Sequence, residues 1–416
     1  MNSDKSNLLL PRVAHFFRDV NLIGSSRPEF IPEAFPSYCQ PDDDDWTAGL
    51  LLRLAMRMHH LWPTFGVRDG NRTILGPHPA VCFANFSLTE LVAVFGGADG
   101  TNSVVTKYAI TFLQSAAKAG DVLPVIQWAE GQAYLQDGTP IKGLIRKNGR
   151  IQYRYIAEES SGPIQPKPCT EWRWRYPGNY YDLIENIEED GYEDNVIPGL
   201  DITLENWSGM GIVVPDLTTA GLLQYDVLCM IDLGLVSETH VDHILVCDQL
   251  PVSIEGLDDE ALQQAFSNAC LDFTSALSVS VDEAQAADQD FSSRVIEQEA
   301  SIPKEFVQEW GGCWLWFKDN THPYVRALVK AGRVRPNLKG RYLASLDGLD
   351  RRRDLREREA IVLALSEQLR EQYGIQSSYF SVRESYSPDE YPYYAGEIWG
   401  GGYFILPTPE EDDEDS

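Results

Sequence analysis

Cysteine is scarce in this chain of 416 residues: there are seven, scattered, with no Cys-x-x-Cys spacing. Disulfide frameworks use an even number of cysteines, and zinc sites use closely spaced pairs. The sequence therefore predicts reduced thiols, which are typical of a cytoplasmic protein, and it argues against a disulfide framework or a zinc site.

Positive charge is scarce as well. The chain has 34 Lys and Arg against 63 Asp and Glu, which gives a formal net charge of −29 at pH 7. Such a field repels phosphate backbones, so we expect no extensive binding to nucleic acid, although a local basic patch could still guide a strand. Solubility alone is a sufficient reason for an excess of acid.

Long apolar runs are missing. The longest stretch, residues 222–235, is interrupted by Asp226 and Asp232, and a membrane-spanning helix needs about 20 predominantly apolar residues. The apolar run at residues 8–10 is too short for a signal peptide. We therefore expect no membrane association and a cytoplasmic location.

The composition that remains is that of a packed globular protein, and the length favours two domains. Short strands alternate with helices along the chain, which predicts an α+β fold with a mixed or antiparallel sheet in the N-terminal part. We expect a first domain over residues 1–216 and a connecting region of helix and strand over 217–300. A smaller α+β domain over 301–405 and a disordered acidic tail over 406–416 complete the prediction.

Two segments have clear periodicity. Residues 171–175 alternate charged and aromatic side chains, which predicts a strand with Trp172 and Trp174 on one face. Residues 351–373 have the spacing of an amphipathic helix. Its predicted inward-facing residues are Leu355, Val362, Leu365 and Leu369. Residues 311–317 are aromatic and rich in turn-forming glycine, so we expect them in the core.

Four groups of short motifs occur in a defined order along the first half of the chain. They are His15-Phe16; Val81-Cys82-Phe83 followed by Ser87-Leu88-Thr89-Glu90-Leu91; Lys107-Tyr108-Ala109-Ile110 leading to Pro124-Val125-Ile126; and Glu171-Trp172-Arg173 before Ile212-Val213-Val214. Their order and spacing over residues 10–216 resemble the AbiGi-like abortive-infection family of phage defence. The chain departs from that family at Ala109, where the family has Gly, and at Cys169, where it usually has an acid. Residues 301–405 are similar to an uncharacterised domain often found behind the AbiGi-like one.

An early His, a central Tyr and a late Glu also resemble, by analogy, the His-Tyr-Glu triad of ADP-ribosyltransferases. Breaking the nicotinamide–ribose bond creates an oxocarbenium-like centre that a carboxylate stabilises. The analogy makes Glu171 the catalytic residue, with His15 holding the other ribose and Tyr108 stacking on nicotinamide. NAD would then be the substrate, with no metal, and the acceptor would be a nucleobase, a protein side chain or water.

Each of these residues also has a purely structural interpretation. His15 lies beside two Phe and fits a satisfied core position, and Tyr108 on an amphipathic strand fits the core equally well. Glu171 can pair with Arg173, two residues further on and on the same strand face. A cleft joining His15, Tyr108 and Glu171 would favour the enzyme, whereas a Glu171 held by Arg173 without a cleft would favour a binding protein.

Two histidine pairs and one cysteine are weaker candidates. On a strand, His240 and His243 would point to opposite faces, and on a helix the adjacent His59 and His60 could not both face one ion. Cys82 lies in an apolar run, where thiols are usually inert. We therefore predict no metal site and no thiol nucleophile.

The resemblance implies an antiviral defence protein of bacteria, and two hypotheses follow from it. The first is an ADP-ribosyltransferase-like toxin that uses NAD. The second is a non-catalytic antitoxin or regulatory binding protein, since AbiGi-like proteins are commonly regarded as the regulatory half of a two-gene toxin–antitoxin system. The expected partner is a toxin, an antitoxin or a phage protein, and an acidic surface suits a basic one.

Overall fold

The computed structural model describes residues 8–24, 44–68, 71–72, 74, 78–95, 105–129, 132–134, 155–157, 171–182, 185, 199–304, 307–390 and 392. The predicted acidic tail, residues 406–416, and Cys169 lie outside these ranges. Helices and strands alternate along the described chain, so the fold is mixed α+β, as predicted. None of the described helices combines the length and apolarity that crossing a bilayer requires.

The helices have the following bounds: α1 (Ala48–Met58), α2 (Leu88–Phe95), α3 (Gln114–Ala119), α4 (Leu217–Asp232), α5 (Asp259–Asn268), α6 (Val281–Ser301), α7 (Pro323–Lys330) and α8 (Leu355–Tyr373). The strands are β1 (Arg12–Phe16), β2 (Val20–Asn21), β3 (Asp45–Trp46), β4 (His60–Leu61), β5 (Val67–Arg68), β6 (Asn71–Arg72), β7 (Ala80–Phe86), β8 (Ala109–Leu113), β9 (Leu123–Pro124), β10 (Ile126–Ala129), β11 (Gln132–Tyr134), β12 (Tyr155–Ala157), β13 (Glu171–Arg175), β14 (Leu200–Asp201), β15 (Met210–Val214), β16 (Val241–Val246), β17 (Cys270–Leu271), β18 (Gly311–Phe317), β19 (Val334–Pro336), β20 (Tyr342–Ala344) and β21 (Ser377–Arg383).

The chain divides into two compact units, each made of separate segments. Among the described residues, unit 1 takes in 8–221 and 239–271, and unit 2 takes in 222–238 and 272–392. The segment 217–300, for which we expected a connecting role, is thus shared between the two units.

Unit 1 is built on an eight-stranded mixed sheet with the order β17-β16-β15-β8-β1-β7-β13-β9. Its strands pair antiparallel except for β15 and β16, which run parallel. On one face, Ala14 and Val213 belong to a buried cluster with Leu91 of α2 and Phe266 of α5. The sheet therefore has a covered apolar face on which successive strands alternate in and out.

Strand β13 confirms the period-two prediction for residues 171–175. Trp172 lies opposite Phe83 and Trp174 opposite Val81, so both indole rings project from the same side of the sheet. Trp172, Phe83 and Val81 are buried. Trp172 thus belongs to the buried core of unit 1, whereas Trp174 is half-buried.

Unit 2 contains a four-stranded antiparallel sheet with the order β19-β20-β18-β21. Along the chain its elements follow as β18-α7-β19-β20-α8-β21, which is the ferredoxin-like βαββαβ succession. Leu315 and Phe317 of β18 share a buried core with Phe291 of α6, Leu328 of α7 and Leu365 of α8. Side chains from three helices therefore share the core on one face of the small sheet.

Helix α8 confirms the predicted amphipathic helix. It begins after the N-cap Asp354, whose carboxylate accepts from Arg356 N, and ends at Gly374 in the left-handed region at φ 71°. The four residues predicted to face inward, three leucines and one valine, are all buried. Residues 311–317 form the continuous strand β18, and Leu315, Trp316 and Phe317 are buried, as expected for a core segment. The two glycines of this segment stand only at the start of the strand and form no turn within it.

Candidate functional site

His15 lies on β1 in unit 1, half-buried among aromatic rings. Its ring meets Phe17 edge-on at 4.8 Å and Phe83 at 5.8 Å between centroids. Nδ1 donates to the carbonyl oxygen of Cys82 at 2.9 Å. Burial lowers the pKa of His15 to about 4, and the bond to Cys82 opposes the shift only in part. At neutral pH the ring is therefore an uncharged, hydrogen-bonded packing residue.

Tyr108 directly precedes β8. Its carbonyl accepts from Phe17 N at 2.9 Å, so Tyr108 lies opposite Phe17 and on the same face of the sheet as His15. Its half-buried ring lies against the first turn of α1, where a Cβ at Gly49 would be 3.3 Å from the Tyr108 Cε1. Burial, followed by the nearby charges of Asp216 and Asp19, raises its pKa.

Glu171 stands at the start of β13 and is held by Arg173. Arg173 Nε donates to Glu171 Oε1 at 2.6 Å, with the arginine side chain 3% exposed and the glutamate side chain 31% exposed. This is the ion pair that the sequence offered as the alternative to a catalytic role. The carboxylate is thus already engaged by a buried cation.

The strand register separates Glu171 from His15. Glu171 pairs with Ala84, and Ala84 pairs with Ala14, so these three side chains share one face of the sheet. His15 follows Ala14 directly, and successive residues of a strand point to opposite faces. The structure therefore brings His15 and Tyr108 to one face and places Glu171 on the other.

The remaining histidine candidates have local partners. His240 Nε2 bonds to the carbonyl oxygen of Ile202 at 2.7 Å, and His243 Nδ1 lies 3.0 Å from Asp242 Oδ2. His59 and His60 do not share a helix as we expected, since His59 ends α1 in the left-handed region and His60 opens β4. Within the described ranges, no three His, Cys, Asp or Glu side chains group as metal ligands would.

Cys82 behaves as a packing residue. Burial raises the pKa of its thiol to about 12, whereas a nucleophilic cysteine needs a lowered pKa. The thiol therefore stays protonated and unreactive at neutral pH.

Unit 2 contains an open cavity of about 870 Å³ between α6, α7 and the residues that precede α6. We call it the α6–α7 cavity. The lining residues used below are Ala276, Ala286, Asp290, His322, Tyr324 and Tyr373. A volume of this size falls in the range of small-molecule sites.

One wall of the α6–α7 cavity is a hydrogen-bonded group centred on Asp290. Its Oδ2 accepts from the hydroxyls of Tyr324 at 2.8 Å and Tyr373 at 3.2 Å. Arg294, one turn further along α6, holds both carboxylate oxygens at 2.8 and 3.0 Å. Because of these bonds, those from Arg294 first, the pKa of Asp290 is lowered, so the carboxylate remains charged.

Helix caps fix the two elements that frame the cavity. Ser280 caps α6 and forms a reciprocal capping box with Glu283. His322 caps α7, its Nδ1 accepting from Tyr324 N at 3.1 Å, with Pro323 at the first helical position. These caps set where each helix begins and so place Tyr324 beside Asp290.

Little in the sequence predicts this wall of the cavity. Asp290 and Arg294 show the (i, i+4) spacing of a helical ion pair, which is the one visible signal. Tyr324 and Tyr373 join them from two other helices, and no local pattern predicts that approach.

The comparisons with known proteins concern unit 2. A family described as a protein of unknown function (DUF4427) matches residues 279–404, a range that takes in α6, α7, α8 and the four-stranded sheet. No curated protein and no solved structure matches the chain significantly. The matched family carries no stated activity, so the function has to be argued from the geometry.

Proposed function

We propose that this chain is a non-catalytic binding protein of a bacterial phage-defence system, the regulatory member of an abortive-infection pair. The observation that carries the proposal is the ion pair between Glu171 and Arg173 at 2.6 Å. A transferase would need the Glu171 carboxylate turned toward a ribose on the side of the sheet where His15 lies. By the strand register that carboxylate lies on the opposite face, where Arg173 binds it.

The charge of the chain supports a protein partner of opposite sign. A net charge of −29 accelerates the encounter with a basic protein and disfavours acidic ones. A basic toxin encoded beside this chain fits that requirement. The phage-defence part of the proposal rests on the resemblance of residues 10–216 to the AbiGi-like family.

The first test is nicotinamide release from NAD by the purified full chain, alone and with a phage lysate added as a trigger. Glu171→Gln is the matched variant, because it keeps the shape of the side chain and removes its charge. We expect no release from either protein under either condition. Release by the wild type that Glu171→Gln abolishes would overturn the binding-protein proposal in favour of the transferase.

The second test measures binding directly. The product of the adjacent gene is titrated into the full chain by calorimetry at about 50 mM and about 300 mM salt, where screening weakens interactions between exposed charges. We expect saturable binding that weakens by about tenfold or more at the higher salt. Absence of binding at both salt concentrations would contradict the proposed pair.

A further inference from the structure

We propose that the α6–α7 cavity is a binding site for an uncharged small molecule with a flat ring. This inference concerns unit 2 alone and does not depend on the proposed function. It rests on the volume of the cavity, on the contacts that hold the side chains of its wall in place and on the pairing of its charged residues.

The room comes from small side chains. Ala276, Ala286, Ala287 and Ala327 all line the cavity, and alanine has no side chain long enough to fill the space in front of it. Ala286 is exposed into the opening, whereas Ala287 belongs to the buried core beneath it. The result is a concave cavity with a volume of about 870 Å³ and a mainly apolar lining, as small-molecule sites usually have.

The side chains of the Asp290 wall are held in place by contacts with one another. The rings of Tyr324 and Tyr373 stack at 4.6 Å between centroids with 24° between their planes, and both hydroxyls donate to Asp290. The guanidinium of Arg294 lies 5.4 Å from the Tyr373 ring centroid. Groups from three helices therefore hold a flat aromatic surface in place, so little ordering cost remains for binding. A flat ring is the shape that packs best on such a surface.

The charges of the lining residues are already matched within unit 2. Asp290 is paired with Arg294. Arg326 is bound by both oxygens of Asp232, and its Nε donates to the carbonyl oxygen of Ala276 at 2.8 Å. A charged ligand would lose its hydration here without meeting an uncompensated counter-charge, which is unfavourable.

The remaining acidic lining residue, Glu283, is also engaged. Its carboxylate accepts from the backbone N and the hydroxyl of Ser280 at 2.8 and 2.6 Å, and these bonds lower its pKa. It is therefore occupied in capping α6. Glu283 keeps its charge there, but it is exposed and screened by water, so it offers little compensation to a cation that loses its hydration in the cavity. An uncharged ligand is therefore the class that the site suits.

His322 gives such a ligand a hydrogen-bond donor. Its Nδ1 accepts from Tyr324 N, so the neutral ring carries its hydrogen on Nε2. A ligand acceptor such as a carbonyl or ring nitrogen can use that donor. An acceptor on a flat, neutral ligand would therefore strengthen its binding without being required for it.

The test uses two fluorescent probes that share one skeleton. N-phenyl-1-naphthylamine is neutral, and 1-anilinonaphthalene-8-sulfonate is the same ring system with a sulfonate added. Both are titrated into the full folded chain, and fluorescence reports their transfer to an apolar environment. We expect the neutral probe to saturate at one site and the sulfonate to bind about tenfold or more weakly, since it would bury an unpaired charge.

Two tryptophan variants locate the site. Ala286→Trp fills the opening of the α6–α7 cavity from an exposed position, and Ala300→Trp places the same side chain at an exposed position on the last turn of α6, outside the cavity. We expect Ala286→Trp to weaken the neutral probe by about tenfold or more and Ala300→Trp to leave it within about twofold.

Circular dichroism and the melting temperature first establish that both variants fold. Failure of the neutral probe to saturate would overturn the site itself. Equal affinity for the two probes would overturn its preference for an uncharged ligand. Unchanged binding by folded Ala286→Trp would place the probe elsewhere on the protein and overturn the location.

Discussion

Two buried arginines, one in each unit, are held in opposite ways. In unit 1, Arg12 is 1% exposed and bonds to neutral acceptors, the hydroxyl of Thr111 at 2.9 Å and the carbonyl oxygen of Gly209. Burial lowers its pKa to about 10, against the opposing charge of Asp242. The guanidinium is thus hydrogen-bonded but has no carboxylate in contact among the described residues.

In unit 2, Arg326 is similarly buried at 5% exposure but meets a carboxylate. Asp232 binds it with both oxygens, and Tyr342 donates to the same carboxylate at 2.6 Å. Burial lowers the pKa of Arg326, but the hydrogen bonds and charge of Asp232 outweigh burial, and the pKa is raised overall. Burial therefore destabilises the charged form of Arg12, whereas Asp232 stabilises the charged form of Arg326.

The contrast extends beyond this pair. In unit 2, Arg353 is 5% exposed and is held by Glu299 at 2.7 Å and Glu357 at 2.9 Å. In unit 1, Lys107 and Asp248 form a pair in which both side chains are more than a third exposed. Unit 1 also has a buried arginine on a carboxylate, Arg173 with Glu171, but that glutamate side chain is 31% exposed. We infer that ion pairs with both partners buried, such as Arg326 with Asp232, help to specify the packing of unit 2.

The largest expected effect comes from breaking the buried pair of unit 2. Asp232→Asn keeps the size of the side chain but leaves Arg326 buried without its counter-charge. We expect a loss of about 3 to 5 kcal/mol in the free energy of unfolding of unit 2. Hydrogen–deuterium exchange resolves the units, because β18 reports on unit 2 and β8 on unit 1.

The matched control is Glu367→Gln, which neutralises an acid of unit 2 whose side chain is 69% exposed. We expect its effect to stay below about 1 kcal/mol. If the backbone amides of β18 exchanged no faster in Asp232→Asn than in this control, the buried pair would not be what stabilises unit 2.

The next effect is a pH dependence in unit 1. The folded pKa of His15 is about 4, below its ordinary value of 6.5, so the unfolded chain takes up a proton at a pH where the folded protein does not. The contribution of His15 is complete above pH 6.5 and is lost as the pH falls toward 4. Between about pH 7 and pH 5 we expect unit 1 to lose about 1 to 2 kcal/mol from this residue alone.

His15→Asn isolates that contribution, since the amide can still donate to Cys82 O but does not titrate. Urea unfolding at several pH values, monitored by hydrogen exchange of the β8 amides, gives the slope of the unfolding free energy against pH for each protein. We expect the variant to lose stability less steeply than the wild type as the pH falls. Equal slopes would show that His15 is not held neutral by the packing of unit 1.

The sequence predicted those parts of the fold that follow from local periodicity. Helix α8 and strand β13 have complete patterns of 3.6 and 2 residues, and both formed as expected. The units could not be predicted in the same way, because unit 2 takes Leu222–Glu238 from a stretch whose flanks belong to unit 1. Only tertiary packing decides which unit such a segment joins.

The site illustrates the same limit. The pairing of Glu171 with Arg173 was visible as an alternative, because both residues lie on one strand face. That Glu171 and His15 face opposite ways depends on the register through Ala84, about 70 residues from His15, and no local pattern contains it. The α6–α7 cavity likewise joins Asp290, Tyr324 and Tyr373 from three helices.

The smallest expected effect sharpens the comparison from the side of unit 1. Lys107 Nζ lies 2.9 Å from Asp248 Oδ1, with the side chains 38% and 54% exposed. Water screens such a pair, so Lys107→Met should change the free energy of unfolding by less than about 1 kcal/mol, and the change should shrink as salt is added. Urea unfolding of the wild type and the variant at low and high salt measures both. A salt-independent loss as large as that of Asp232→Asn would mean that unit 1, too, depends on its ion pairs for stability. The two units would then differ in how exposed their ion pairs are, and not in how much those pairs stabilise them.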